Sequence, residues 1–349
     1  MRINNTQKTV RLVLLTLAAG ALAAGGPAAA QDHGDRTGEV KVYTLEPSDY
    51  GNPEGIAFDK RTGAFFVGAT GFGAPAGGTI YRGTLDDETV EVFIEGEPGG
   101  EAVGLKVFDG RLYVAGGFSG RVSVYDIASR QLLARFDDFG AGMLNDLVVT
   151  KTGDVFITDS FLPVLWHLTA AQVETAVGGG AADGPESIPM DGPGSPIEWM
   201  YGDFNLNGIV AINGGQSLIV VQSAANTGKL FRIDLARTAP GGHIIRELAI
   251  HEIALAEPLY GDGLLLDKGR LVVVTFAPLP SLTFVKLDHG ATHGTVIERR
   301  TDPTLREPST VARAGKFYLV VNADFGTSTK PFTVTGLPRN DHDNEEDDQ

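Results

Sequence analysis

The chain of 349 residues contains no cysteine. No disulfide can brace it, and thiolate metal sites and cysteine nucleophiles are excluded. Basic residues are scarce as well. The 28 Lys and Arg stand against 44 Asp and Glu, for a formal charge of −16. So acidic a chain is a poor partner for nucleic acid or anionic membranes and a good host for a hard cation. Long amphipathic helical patterns are almost absent. After the first thirty residues no segment approaches ~18 uninterrupted apolar residues, the length a membrane span needs. No G-x-S-x-G element appears, so a serine hydrolase has little support. "GFGAPAGG" (71–78) opens no helix and reads as a loop, not a phosphate cradle.

The N-terminus has a different character. Arg2, Lys8 and Arg11 precede the apolar "LVLLTLAAGALAAG", and "AAAQD" follows with a small-residue cleavage site after Ala30. That order predicts a secretory signal peptide over residues 1–30. Its loss removes three positive charges and no acids, taking −16 to −19. The mature protein is expected to be secreted or periplasmic. It should be a monomer that acts on a small molecule and binds neither nucleic acid nor membrane. Residues 339–349, ending in "NDHDNEEDDQ", read as a solvated acidic tail.

What the chain has in quantity is glycine, 46 residues, and short β-branched or aromatic runs bounded by Gly and Asp. These repeat. "EGIAFDKRTGAFFVGA" begins at 54, "VGLKVFDGRLYVAGG" at 103 and "NDLVVTKTGDVFITDS" at 145. "NGIVAINGGQSLIVVQS" begins at 207, "DGLLLDKGRLVVVTF" at 262 and "PSTVARAGKFYLVVN" at 308. Each copy is a leading residue, a strand, a Gly turn and a second strand. Third strands such as "GKLFRIDL" and fourth strands such as "HGTVIERR" often follow. Six copies of about four strands predict an all-β fold, a six-bladed β-propeller with four-stranded blades over residues 31–338. The sixth copy lacks an outer strand. "EVKVYTLE" (39–46), which has no other partner, is expected to supply it and close the ring. Residues 169–206 form an oversized connection with two readings. Trp199, Met200 and Tyr201 could wall a site as a lid, or "IEWMYGDF" could contain the outer strand of blade three.

In a propeller the leading residues of the inner strands meet at one rim of the central channel. Here they read Glu54, Val103, Asn145, Asn207, Asp262 and Pro308. Alone, "NPEG", "ND", "NG" and "GDG" are ordinary turn sequences. In one frame, four of the six leading residues present oxygen, and none is His. Two carboxylates and two carboxamides suit Ca²⁺, or another hard divalent cation, which takes about six to eight oxygen ligands in forgiving geometry. The expected metal ligands are therefore Glu54, Asn145, Asn207 and Asp262.

In these residues and their order, acid, amide, amide and acid on blades one, three, four and five, the chain resembles the calcium-dependent six-bladed propellers that include SMP-30/gluconolactonase. The diisopropylfluorophosphatase and paraoxonase types are more distant. The resemblance implies hydrolysis of a lactone or related ester. Asp262 would act as general base or nucleophile, with Asn145 beside it at the catalytic cation. There are departures. No His stands near Pro308, where phosphotriesterase-type relatives carry one. His167, in the apolar "VLWHL", reads as structural, and His251, His289 and His293 fall in blade edges or loops. No Arg stands beside Val103 to receive a sugar acid, and Glu101 and Lys106 read as solvated blade charges. "TDS" (158–160) has no base partner. The alternative to an enzyme is a propeller that binds a small molecule or protein on its rim, with calcium as a structural plug.

Overall fold

The structure is a computed structural model that describes residues 38–71, 74, 76–140, 142–224, 227–235 and 249–339. The predicted leader, residues 340–349 and part of "GFGAPAGG" lie outside the described residues. Arg339, expected to begin the solvated tail, is instead buried in the fold, its backbone N–H donating to the Lys316 carbonyl.

Each repeat folds into an antiparallel sheet whose strands follow one another in sequence. The first comprises Pro53–Asp59, Ala64–Ala69, Ile80–Thr84 and Thr89–Ile94. The second runs from Leu105–Phe108 through Arg111–Ala115 and Val122–Asp126 to Leu132–Phe136. The third contains Leu144–Val149, Val155–Asp159, Val164–Leu168 and Glu186–Pro189. Leu206–Ile212, Ser217–Gln222, Lys229–Asp234 and Ala249–Ile253 make the fourth. Gly261–Asp267, Arg270–Thr275, Ser281–Leu287 and Gly294–Arg300 make the fifth. The last repeat contributes Pro308–Ala314, Phe317–Asn322 and Thr333–Pro338.

The outer edge of that last sheet comes from the other end of the chain. Lys41–Glu46 pairs antiparallel with Thr333–Pro338, with Val42 opposite Thr335. The same strand also pairs in parallel with Thr89–Ile94, which joins the first and last repeats into one eight-stranded sheet. The edge left by the short sixth repeat is thereby covered.

The middle of the second strand of each sheet is mostly apolar because both its faces are buried. Phe65 and Val67 point into a core shared with Tyr43, Leu319 and Val321, while Phe66 between them packs with Ile80, Leu112 and Val114. The alternation repeats along the chain: Ile157 packs with Tyr113, and Phe156 with Leu218 and Phe231. Ile219 meets Val273, and Val272 meets Val320. Each sheet interface thus has its own core, and each buried large apolar side chain contributes about 1.5–3 kcal/mol.

Residues 169–206 fit neither expected arrangement. Ala170–Val177 is an α-helix capped by Thr169, whose hydroxyl accepts from Gln172 N–H while the Gln172 side chain accepts from Thr169 N–H. The outer strand of the third sheet is "ESIP" at Glu186–Pro189, upstream of "IEWMYGDF", which forms no strand. Ile197 and Trp199 pack into the core between the third and fourth sheets, and Tyr201 is exposed.

Candidate metal centre

A bulge recurs at the start of the inner strands. Between the pairs Pro53–Ala69 and Ile56–Val67, residues Glu54 and Gly55 stand opposite one residue. The same irregularity holds at Asn145–Asp146, Asn207–Gly208, Asp262–Gly263 and Ser309–Thr310. A bulge re-aims a side chain that would otherwise point into the sheet stack. All four oxygen-bearing residues expected from the sequence occupy the first bulge position. The register corrects one frame: the sixth repeat's equivalent is Ser309, not Pro308, which is still paired with Asn322.

The bulges of successive sheets abut. A Cβ on Gly55 would lie 1.9 Å from the Val103 carbonyl, and one on Gly208 would lie 2.4 Å from that of Asp262, so only glycine fits. Asp146 Oδ2 accepts from Ile209 N–H at 3.3 Å, and the Ser309 hydroxyl donates to the Glu54 carbonyl at 2.7 Å. The first inner strand contacts the second and also the last.

Within this cycle Glu54, Asn145 and Asn207 are buried, while Asp262 keeps some exposure. Burial first, then the charges of Asp262 and Asp146, push the Glu54 carboxyl well above its ordinary range, against a smaller opposing pull from Lys106. Asp262 is pushed up to about 8 by burial, with Asp146 adding to the rise and a hydrogen bond from Asn207 opposing it. The Oδ1 atoms of Asn145, Asn207 and Asp262 are buried and have no hydrogen-bond partner. Orphaned acceptors of this kind are costly, and three in one place call for a shared positive partner. The donor set therefore fits a hard cation. Among the described residues no group of three or more His, Cys, Asp or Glu has metal-binding geometry, so any such site here relies on the two amides.

The groups behind the ring hold it in place. Asn145 Nδ2 donates to Ser160 Oγ at 2.9 Å, and that hydroxyl donates to the Leu206 carbonyl at 2.7 Å, which turns Asn145 Oδ1 away from the sheet. Thr158 Oγ1 donates to the Asn207 carbonyl at 2.7 Å. Asp159 accepts from the N–H groups of Met143, Phe161 and Leu162 and from the Trp166 indole. "TDS" is thus a brace for the ring, a role visible only once the neighbouring strand is in place. Lys106, expected to be solvated, pairs with Asp146 at 2.9 Å and offsets an acid that the amide ring does not use. Glu101 is not a solvated charge either. It is half-buried, accepts from Phe118 N–H at 2.6 Å, and is pushed up to about 8 by burial. His167 is buried, stacked on Phe156 at 4.6 Å between ring centroids, with Glu186 at 3.3 Å.

No protein-family model matches the sequence, and no curated protein matches it. Solved structures do. A gluconolactonase from Xanthomonas campestris is 16% identical, with 91% of this chain and 98% of that one covered and a TM-score of 0.56. A calcium-binding regucalcin from Agrobacterium tumefaciens is 15% identical, covering 85% and 94%, with a TM-score of 0.55. The β-propeller domain of Cps50 (Swd1) from Myceliophteria thermophila is 9% identical, covering 83% and 97%, with a TM-score of 0.53. The fold is a β-propeller. At these identities the likeness concerns the propeller's architecture alone. Among the described residues, no helix of this propeller is long and apolar enough to cross a membrane.

Proposed function

We propose that the chain is an exported, calcium-dependent hydrolase of lactones or related esters, built as six blades with the eight-stranded sheet counted as two. The observation that supports it is the trio of buried, unpartnered oxygens on Asn145, Asn207 and Asp262, with the buried Glu54 carboxyl beside Asp262. Glu54, Asn145, Asn207 and Asp262 would hold the cation. When bound, a divalent cation polarises the carbonyl under attack and stabilises charge developing on its oxygen. Asp262, the most exposed of the four, takes the proton from the attacking water as general base. Asn207, on the adjoining inner strand, favours the charged form of Asp262. Asn145, locked by Ser160, keeps its Oδ1 aimed away from the sheet. The fold of a gluconolactonase and the calcium binding of a regucalcin are both compatible with this reading.

Elemental analysis of the purified protein, followed by a panel of γ- and δ-lactones and aryl esters assayed with Ca²⁺ and with chelator, tests the proposal. One bound calcium and chelator-sensitive turnover are expected. Tight calcium without turnover on any member of the panel would favour the non-catalytic binding module.

A further inference from the structure

One carboxyl group at the rim plays no part in that scheme. Glu101 lies two residues before Val103, whose carbonyl abuts Gly55 next to Glu54. A Cβ placed on Gly117 would meet Glu101 Oε2 at 1.9 Å and Val103 Cγ2 at 2.9 Å, so the carboxyl and the Val103 side chain both lie over Gly117. Val103 in turn packs in a small apolar cluster with Met143 and Phe204, against which Phe118 and Phe161 rest. The rings form a chain: Phe118 to Phe161 at 5.6 Å and Phe161 to Phe204 at 5.0 Å between centroids. Phe118 and Phe161 are only half-buried. This cluster is separate from the six interface cores and lies just before the second, third and fourth inner strands, close in sequence to Asn145 and Asn207.

Among the described residues no Lys or Arg pairs with Glu101, and its hydrogen bond comes from Phe118 N–H. A desolvated carboxyl without a cation beside it is costly, and aromatic faces attract cations rather than anions. We propose that Glu101 with Phe118, Phe161 and Phe204 forms a subsite for an organic cation, an ammonium or guanidinium carried by an apolar part of the substrate. Burial already pushes Glu101 up to about 8, and a cation seated there draws the carboxyl back to its charged form. The subsite deepens the hydrolase reading: it gives the substrate a positive charge at a distance from the scissile bond and disfavours acid-bearing lactones.

Calorimetric titration of the full-length protein with benzylammonium and with benzyl alcohol, in calcium and again in chelator, tests this without turnover. The wild type should bind benzylammonium about tenfold tighter than the alcohol. Glu101→Gln, which keeps an acceptor for Phe118 N–H, should abolish that preference. Phe161→Leu, at a half-exposed position, should weaken the ammonium more than the alcohol. Equal binding of the two probes, no binding of either, or an unchanged preference in Glu101→Gln overturns the proposal. Because no hydrolysis is read, an inactive protein that still discriminates overturns the hydrolase reading alone.

Discussion

Asn207 and Asp262 occupy the same bulge position on inner strands that touch, and each carries a buried Oδ1 with no hydrogen-bond partner. Two buried acceptors without donors are costly, and under the proposed function the cation and the attacking water meet there. Asp262→Asn should reduce kcat/KM by about a thousandfold, the scale of a lost general base. The same change removes a buried acid from beside Glu54, so the calcium-free variant should melt above the calcium-free wild type. Steady-state kinetics and thermal melts in chelator measure the two effects.

The raised carboxyls set the pH dependence of the calcium-free protein. Glu54 and Asp262 hold protons more tightly folded than unfolded, so the folded state carries more protons above the ordinary carboxylate range, in the case of Asp262 up to about pH 8. The stability these two groups contribute in chelator is full below about pH 4 and should fall as pH rises from there toward 8. Excess calcium should reverse the trend, since the cation binds the deprotonated carboxylates. Melting temperatures across pH 5–9, with and without calcium, give both slopes.

Ser160 acts through Asn145. Ser160→Ala frees the amide to rotate and should weaken calcium binding by about 10–100-fold, the usual loss when a ligand's supporting partner is removed. Thermal stability in chelator should also fall, by about 1–3 kcal/mol, because the Leu206 carbonyl and Asn145 Nδ2 lose a buried partner; weakened calcium binding by the still-folded variant reads the positioning role separately. Calcium titration by calorimetry gives the affinity.

The bulges tolerate no Cβ where backbones meet. Gly55→Ala drives a methyl into the Val103 carbonyl and should cost about 3 kcal/mol or more, through the clash and the shifts it forces. Gly63→Ala, in an open hairpin turn at φ +70°, meets nothing within 4 Å and should cost about 1–2 kcal/mol from its backbone conformation alone. Urea midpoints of the two variants compare them directly.

The repeat was legible because the copies obey the same constraint: an inner strand with a small or polar second residue, then a strand buried on both faces. Glu54, Asn145, Asn207 and Asp262 stand out for that reason. The sixth copy slipped by one because "PST" offers Pro308 as a strand start, and only the ladder shows that Ser309 occupies the bulge. "ESIP" escaped notice because a four-residue outer strand with one face in solvent carries almost no hydrophobic pattern. Glu101 looked like a surface charge because its burial depends on residues 116–118, which return beside it from another strand.

The strand Lys41–Glu46 lies between the first and last repeats and is bonded to both. Open repeat arrays have ends at which they fray, and they lose their units one by one. Here there is no terminal unit to lose. Denaturation should proceed as a single cooperative event, and a lesion in any interface core should lower the melting point of the whole ring rather than release one sheet.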